Sequence, residues 1–295
     1  MKEKVIVIIG PTAVGKSTLG IKLAKKFRGE IISADSRQVY KGMDLGTGKV
    51  TKAEQKLVPH HLLDVTTPKR QFTVAHFTKL AKVAIKKIIN KNKIPFVVGG
   101  TAFYIYSLID DLKLPEVKPN LKLRKSLEKK STEELFIILK NLDPRRAKTI
   151  DRNNRVRLIR AIEINIVSGK PVPQKKLTLS NHVLLLGIKK DPVKLRELIN
   201  KRVDERIKVG MINEVKRLKK SGLSFKKLDS FGLEYRFISH HLQGKLSFDD
   251  MIRNLKTAIY QFAKRQMTWF KKDQRINWIK SEAEASKLIQ AFLKK

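Results

Sequence analysis

The stretch Gly10-Pro-Thr-Ala-Val-Gly15-Lys16-Ser17 lies between a short apolar run and a segment with helical periodicity. The apolar run, Lys4 to Ile9, is rich in β-branched residues and predicts a buried strand. In this context the glycines let backbone N–H groups converge on phosphate oxygens, Lys16 adds a positive charge, and the Ser17 hydroxyl can ligate Mg²⁺. The motif predicts a phosphate-binding loop but not which phosphate it binds. A turn without any phosphate role is the alternative.

Strand and helix patterns alternate along the rest of the first 114 residues. Glu30 to Ser36 and Lys93 to Thr101 read as further strands, and Phe72 to Asn90 reads as an amphipathic helix between them. This alternation predicts an α/β fold with a parallel sheet covered by helices on both faces. Ligands gather at the carboxyl ends of the strands in such sheets. Three polar or glycine positions fall there: Gly10, Asp35 and Thr101.

The pattern changes after residue 114. Ser131 and Glu134 form a capping box that predicts a helix start, and Asn154 can cap a second helix that stops at Gly169. No segment between these signals reads as a strand. Strand character returns at His182 to Lys190, and everything from Asp191 onward reads as helical. We therefore predict an all-helical insertion in an α/β core.

The predicted domains follow from this change. Residues 1–114 and 183–295 would form the catalytic core, and residues 115–182 the helical insertion.

The chain is strongly basic, with 65 Lys and Arg against 27 Asp and Glu and a formal net charge of +38. The stretch from Lys113 to Asn181 alone carries 18 basic and 7 acidic residues. A polyanionic partner such as nucleic acid would explain the excess, and a lysine-rich solvated surface is the alternative. The chain has no cysteine, which fits a reducing compartment, and no apolar run of membrane-spanning length. We expect a cytoplasmic protein without a membrane partner.

Several residues near the strand ends are candidates for chemistry. Asp35 could position magnesium or accept a proton, or it could be an ordinary turn residue. Ser36 and Gln38 are suited to hydrogen bonds with the edge of a planar base. Thr101 follows two glycines that permit close approach to a ligand, although a tight turn would also explain them.

Basic residues recur on predicted helices. Arg157 and Arg160 share a helix face beside an apolar stripe and could grip phosphates or simply face solvent. Near the C-terminus, YQFAKRQMTWFKKDQRINW mixes basic and aromatic residues, which suits nucleic acid, although at helical spacing the aromatics would belong to the core. The histidine pairs lack metal-ligand spacing, and we assign them no metal.

Taken together, these segments resemble the bacterial type of the tRNA dimethylallyltransferase (tRNA isopentenyltransferase) family. The resemblance covers nearly the whole chain. It is carried by GPTAVGKS, ISADSRQVYKGMDLGTGK, PHHLLDV, FTVAHF, IPFVVGGTAFYI, NNRVRLIRAIEI, KRVDERIKVGMINEV and AKRQMTWF. The resemblance implies a P-loop kinase-like core with a helical insertion that grips the tRNA anticodon stem-loop. It also implies transfer of a dimethylallyl group from dimethylallyl diphosphate to the exocyclic amine of the adenosine 3′-adjacent to the anticodon, with Mg²⁺ as cofactor and a monomeric enzyme.

The resemblance also implies roles for individual residues. Asp35 would be the general base on the amine, Thr101 would orient the base and phosphates, and Arg202 would face the diphosphate. The residues implied for diphosphate are Gly10, Pro11, Thr12, Ala13, Val14, Gly15, Lys16 and Ser17, with magnesium on Ser17. Those implied for tRNA are Asp35, Ser36, Arg37, Gln38, Thr101, Lys122, Arg124, Val156, Arg157, Leu158, Ile159, Arg160, Lys264 and Arg265.

Two segments depart from the family pattern. The family's Gly-Tyr-x-Glu appears here as Gly232-Leu-Glu-Tyr, and Thr-Arg before the family's QYAKRQ appears as Ile259-Tyr260. Two alternative functions share the same loop. One is an ATP-dependent kinase of a small molecule or nucleotide, and the other is a non-catalytic RNA-binding P-loop protein. The kinase does not explain the net charge of +38 or the helical insertion well, and in the RNA-binding protein Asp35 would be a turn residue.

Overall fold

The computed structural model describes residues 4–112, 115–173 and 182–295. The chain forms two compact units, of which unit 1 comprises residues 1–110 and 179–295, and unit 2 comprises residues 111–178. The predicted boundary at residue 114 lies outside the described residues. The two units are taken in turn below.

The strands of unit 1 belong to one sheet. In chain order they are β1 (Val5–Ile9), β2 (Gly29–Ser33), β3 (His60–His61), β4 (Ile94–Gly99), β5 (Val183–Ile188) and β6 (Asn277–Ile279). Their order in the sheet is β3-β2-β4-β1-β5-β6, and every neighbouring pair is parallel. Parallel strands place all their carboxyl ends on one edge, so the loops that follow β1, β2 and β4 come together there.

Helices cover both faces of this sheet. The helices among the described residues are α1 (Lys16–Lys26), α2 (Lys52–Leu57), α3 (Val74–Asn90), α4 (Ala102–Ile109), α5 (Leu121–Leu127), α6 (Thr132–Leu142), α7 (Pro144–Ala147), α8 (Arg155–Ser168), α9 (Pro192–Lys208), α10 (Met211–Lys220), α11 (Phe225–Asp229), α12 (Leu233–Leu242), α13 (Phe248–Phe270) and α14 (Glu282–Lys294). Those numbered α5 to α8 belong to unit 2, and the others to unit 1.

Strand β1 shows why the sheet is covered on both sides. Its side chains alternate between two cores: Ile6 and Ile8 pack with α1 and α9, whereas Val7 and Ile9 pack with α3 and α4. All five residues of the strand are buried. Continuous apolar strands of this kind are typical of parallel sheets. The predicted α/β sheet flanked by helices is confirmed.

Two strands were not predicted. The expectation of a helical structure throughout the region after Asp191 is wrong, because Asn277 to Ile279 form β6 beside β5. The two-residue strand β3 at His60 and His61 pairs with β2. Strands of two or three residues are too short to show an alternating pattern, so only the neighbouring strand identifies them. Strand β2 ends at Ser33, earlier than predicted, and Asp35 therefore lies in the loop that follows it.

The described residues of unit 2 form helices and no strand. The predicted capping box is present, since the Ser131 side chain accepts from the Glu134 N–H and Glu134 accepts from the Ser131 N–H. Asn154 caps α8, and Gly169 ends that helix in the left-handed conformation at φ 62°. The core of this unit is formed by Leu127, Leu135, Leu139, Leu158, Ile159, Ala161 and Ile162.

Candidate active site

The predicted phosphate-binding loop is the turn between β1 and α1. Gly10 has φ 153° and packs so closely on the carbonyl oxygen of Ile188 that a Cβ atom would overlap with it. Ala13 and Gly15 also have positive φ angles of 66° and 91°. These turns bring the chain to Lys16, the first residue of α1. A tight turn that leads into a helix N-terminus presents backbone N–H groups to an anion.

Two cations from distant parts of the chain meet at this loop. The Lys16 ammonium donates to the Pro11 carbonyl, and the Arg202 guanidinium of α9 donates to the Thr12 hydroxyl at 3.1 Å. Burial and, to a smaller extent, the charge of Arg202 lower the pKa of Lys16 to about 7, against the opposing effect of Asp35. Burial also lowers the pKa of Arg202. Desolvated positive charges of this kind favour a bound polyanion.

A third cation, Arg206, was not predicted. It lies one helical turn after Arg202, and both guanidinium groups pack against the α-carbon of Gly48, where a Cβ atom would collide with them. Burial and the neighbouring Arg202 lower the pKa of Arg206 to about 10. Glu234 lies 3.7 Å from Arg206, and burial raises the pKa of this carboxyl group. The i,i+4 spacing of the two arginines was the available sequence signal, since it places both on one helix face.

The loop that carries Gly48 is held by one buried carboxylate, Glu214 of α10. Its oxygens accept from the backbone N–H groups of Asp44 and Leu45, each at 2.8 Å, and of Gly46 at 3.1 Å. The Tyr235 hydroxyl donates to it at 2.8 Å. Glu214 is 2% exposed. A carboxylate with four donors rigidifies this loop and hence the surface against which the two arginines pack.

Asp35 lies after the end of β2, as the sheet topology requires. Its Oδ1 atom accepts from the Arg37 N–H at 2.8 Å. The next residue, Ser36, donates its backbone N–H to the Thr101 hydroxyl at 3.1 Å. Asp35 also contributes to the electrostatic environment of Lys16 and Arg202. The structure thus brings together the predicted base, the predicted orienting threonine and the cationic loop.

Gln38 lies at the same edge, but its amide is already bonded within the protein. Its Oε1 atom accepts from the Ser33 hydroxyl at 2.8 Å, and its Nε2 atom donates to the Gly48 carbonyl at 3.1 Å. The residue therefore links β2 to the loop that lies against Arg202 and Arg206.

Gln266 of α13 was not singled out from the sequence. Its Oε1 atom accepts from the Thr12 N–H at 2.9 Å, and its Nε2 atom donates to the Gly100 carbonyl at 2.8 Å. The residue is 8% exposed. It therefore joins the phosphate-binding loop to the segment that leads into Thr101. It stands within the AKRQMTWF segment, but nothing in the pattern distinguished it from its neighbours.

The tRNA residues predicted in unit 2 fall into three groups. Lys122, Val156 and Arg157 are exposed. Arg124 and Arg160 both bond to the buried carboxylate of Glu163, at 2.7 Å and 2.5 Å. The remaining two, Leu158 and Ile159, have buried side chains in the core of the unit. The α8 stripe that carries these two side chains faces inward, and their assignment to tRNA stays a prediction.

The basic pair predicted on α13 is exposed, at Lys264 and Arg265. The aromatic residues of the same segment are divided: Phe270 is fully buried, whereas Phe262 and Trp269 are about two-fifths exposed, at 41% and 42%. The basic and aromatic residues therefore present a mixed surface on this helix. Ile259 and Tyr260, which depart from the family pattern, are buried.

A comparison with known families decides the assignment. The model for IPP transferase matches residues 38–273. The chain belongs to the IPP transferase family. One curated relative of this chain is the tRNA dimethylallyltransferase 1 of Geotalea uraniireducens. The two sequences are 40% identical over 300 residues, which cover 100% of this chain and 98% of the relative. The tRNA dimethylallyltransferase of Carboxydothermus hydrogenoformans is 43% identical to this chain, and the match covers 98% of this chain and 96% of the relative.

Solved structures point the same way. The full-length tRNA isopentenylpyrophosphate transferase of Bacillus halodurans superposes with a TM-score of 0.75 at 34% identity, covering 99% of this chain and 97% of its own. A eukaryotic dimethylallyltransferase, described as acting on tRNA, reaches a TM-score of 0.78 at 31% identity over 90% of this chain and 69% of that one. The predicted family and enzyme class are confirmed, and the kinase and non-catalytic alternatives are not favoured.

The described residues offer few side-chain groups that could together ligate a metal ion. No cluster of three or more His, Cys, Asp or Glu residues with metal-binding geometry occurs among residues 4–112, 115–173 and 182–295. Ser17 is in the first turn of α1, directly after Lys16, and is partly exposed. A single hydroxyl fits Mg²⁺, which keeps several waters and takes its other ligands from substrate phosphates. Across the same described ranges, no helix is long and apolar enough to cross a membrane.

Proposed function

We propose that this protein transfers a dimethylallyl group from dimethylallyl diphosphate to the exocyclic amine of the adenosine 3′-adjacent to the anticodon of tRNA, releasing diphosphate. One observation carries the proposal at the level of the site. Lys16 and Arg202 lie at the loop from Gly10 to Ser17, Arg206 lies beside Arg202, and Asp35 is close enough to all three to affect their pKa values. The site therefore offers cations for a leaving diphosphate and one carboxylate for a proton.

In the proposed reaction the amine nitrogen attacks the allylic carbon that bears the diphosphate. The N–C bond forms as the C–O bond breaks, and the bonding electrons leave with the diphosphate oxygen. Negative charge grows on that oxygen, and Lys16 and Arg202 stabilise it where it develops. When bound at Ser17, Mg²⁺ would neutralise further charge on the diphosphate.

The amine needs help because its lone pair is delocalised into the adenine ring. Asp35 would accept the amine proton as the N–C bond forms. Its Oδ1 atom is oriented by the Arg37 N–H, which fixes the carboxylate in one position. Thr101, held by the Ser36 N–H, would bond the base or the diphosphate with its own hydroxyl proton. Two side chains on neighbouring strand ends would thus hold the acceptor.

The target base must leave its stack to reach this site, at a cost of a few kcal/mol. We propose that exposed basic side chains offset this cost by binding tRNA phosphates, namely Lys122 and Arg157 in unit 2 and Lys264 and Arg265 on α13. Phosphate contacts of this kind hold the RNA in register. A cytoplasmic, monomeric enzyme remains our prediction from the sequence.

The proposal is tested by incubating the protein with bulk tRNA, Mg²⁺ and dimethylallyl diphosphate. The tRNA is then digested and its nucleosides are analysed by mass spectrometry. We expect an adenosine that has gained one dimethylallyl group. A parallel reaction with ATP and small alcohols tests the kinase alternative. Phosphoryl transfer in that reaction, with no prenylated adenosine in the first, would overturn the proposal.

A further inference from the structure

One side chain, Gln266, connects the two halves of the site in unit 1. Its amide oxygen accepts from the Thr12 N–H at 2.9 Å, and its amide nitrogen donates to the Gly100 carbonyl at 2.8 Å. Thr12 belongs to the loop proposed for the diphosphate, and Gly100 precedes Thr101 on the acceptor side. The helix that carries Gln266 thus fixes these two segments relative to each other.

The bonds on either side of Gln266 extend this link in both directions. The Thr12 hydroxyl accepts from Arg202 at 3.1 Å, and the Thr101 hydroxyl accepts from the Ser36 N–H at 3.1 Å. Ser36 is the neighbour of Asp35. A continuous path of hydrogen bonds and backbone therefore runs from Arg202 on the diphosphate side to Asp35, the proposed general base. Gln266 contributes the side-chain amide in the middle of this path.

The surroundings of Gln266 show that this arrangement is built closely. The residue is 8% exposed, and Ala263 and Phe270, one turn before and one turn after it on α13, are both fully buried. A Cβ atom on Gly100 would lie 2.5 Å from its Nε2 atom. The amide also makes complementary use of its two ends, since one partner is an N–H and the other a carbonyl. A carboxylate or a methionine of similar size could not satisfy both partners, because neither offers an N–H donor.

We infer that Gln266 is a positioning residue that sets the separation between the leaving diphosphate and the acceptor groups Asp35 and Thr101. The inference rests on the proposed prenyl transfer. Because Gln266 commits the Thr12 N–H, the N–H groups that meet the diphosphate come from the residues after Thr12 in the loop. Misplacement by about 1 Å can cost about 100-fold in rate even when binding is preserved. Gln266 should therefore affect turnover much more than tRNA affinity.

The first test compares Gln266→Met with wild type and with Gln290→Met. Methionine keeps a similar volume but removes both hydrogen bonds, and Gln290 is an exposed glutamine on α14, away from the residues proposed to bind either substrate. We expect Gln266→Met to lower kcat by about 10- to 100-fold, with tRNA Kd changed by less than about threefold, and Gln290→Met to behave as wild type. Turnover equal to wild type, or a loss confined to tRNA affinity, would overturn the inference.

The second test uses Gln266→Glu and pH. A glutamate still accepts from Thr12, but when ionised it places an oxygen against the Gly100 carbonyl, whereas a protonated carboxyl can donate to it. We expect the ratio of Gln266→Glu turnover to wild-type turnover to rise at least severalfold from about pH 8 to about pH 6. A ratio that stays constant over this range contradicts a role that depends on the donated hydrogen bond.

The third test is a double-mutant cycle with Gly100→Ala. The added methyl group displaces the Gln266 amide, so this change should lower kcat in the wild-type background and have little further effect in Gln266→Met. Additive losses would contradict the inference. If the wild type itself forms no prenylated adenosine, the proposed function fails. If the wild type is active and the Gln266 variants equal it, only this inference fails.

Discussion

The Arg202 guanidinium donates to the Thr12 hydroxyl at 3.1 Å, although the two residues are 190 positions apart. The contact places a cation from α9 on the loop between β1 and α1. Burial is the main reason that the pKa of Lys16 falls, and the positive charge of Arg202 beside its ammonium lowers the pKa further. The proposed diphosphate subsite is therefore formed by two chain segments, and its positive charge comes from both.

Asp35→Asn tests the proposed base. Asparagine keeps the size of the side chain but cannot accept the amine proton, so we expect turnover to fall by about 100- to 10,000-fold. The tRNA Kd should stay within about threefold, because tRNA affinity comes chiefly from phosphate contacts. Single-turnover transfer and filter binding measure the two quantities. Asp249→Asn, an exposed acidic residue in the first turn of α13, serves as the control. Substantial turnover in Asp35→Asn would remove this residue as the base.

Lys16 should take up a proton when diphosphate binds. Its pKa of about 7 in the protein alone leaves it largely neutral at about pH 8, and a bound anion favours the charged form. Calorimetry of diphosphate binding in two buffers of different ionisation enthalpy gives the number of protons taken up. Lys16→Arg keeps a permanent charge and should take up fewer protons than wild type. Protons bound or released by diphosphate itself are the same for both proteins and cancel in this comparison. Equal uptake by the two proteins would refute the shifted pKa.

The same shift has a consequence for stability. The pKa of Lys16 is lower in the folded protein than its ordinary value of 10.5. Between about pH 7 and about pH 10.5 the unfolded chain therefore binds more protons at this position. The contribution of Lys16 to the free energy of unfolding should accordingly rise with pH across that window. Urea unfolding of wild type and of Lys16→Met at several pH values measures this contribution as the difference between their free energies of unfolding. The variant should lack the rise with pH that is due to Lys16.

Glu214 should matter more for stability than its hydroxyl partner. Glu214→Gln places an amide against three backbone N–H groups and removes the charge, which should cost about 3 kcal/mol of unfolding free energy. Tyr235→Phe removes one hydrogen bond and should cost about 1 kcal/mol. Denaturant unfolding measures both. If the two variants lose equal stability, the carboxylate does not hold the loop as described.

Acid should weaken unit 2 through Glu163. The side chain is fully buried, and although burial opposes ionisation, the bonds from Arg124, Arg160 and the Asn120 N–H lower its pKa to about 2 from the ordinary value of 4.5. The stabilisation is fully present above about pH 4.5 and is lost as pH falls towards 2. Glu163→Gln should be less stable than wild type at neutral pH, and the difference should shrink in acid. An unchanged difference down to pH 2 would contradict the assignment.

Arg157 tests the proposed tRNA surface. It is exposed, and no salt bridge found in the described ranges of the chain includes its side chain. Arg157→Ala should weaken tRNA binding and reduce the slope of log Kd against log salt by about 0.7 to 0.9, the value for one lost phosphate contact. Lys287→Ala removes an exposed charge from α14 and is the control. A slope that falls equally in both variants would indicate a diffuse charge effect instead of a contact.

Local sequence signals predicted much of the fold. The β-branched run before Gly10, the caps at Ser131 and Asn154 and the stop at Gly169 each depend on neighbouring residues, and each is present. The parallel sheet followed from the alternation of strands and helices, which required no knowledge of contacts. Strands β3 and β6 could not be found this way, because two or three residues form a strand only when a longer neighbour offers a free edge.

The candidate site likewise has features that the sequence predicted and features that depend on contacts between distant residues. The sequence alone determined the turn that we predict to bind phosphate, the positions of Asp35 and Thr101 near strand ends and, through family resemblance, the prediction that Arg202 faces this turn. Only the tertiary structure decided that Arg206 and Glu234 join them, that Glu214 holds the loop of Gly48, and that Gln266 bridges Thr12 and Gly100. These contacts join residues far apart in the chain, and hydrogen bonds of that kind exist only once the sheet and its helices have brought the segments together.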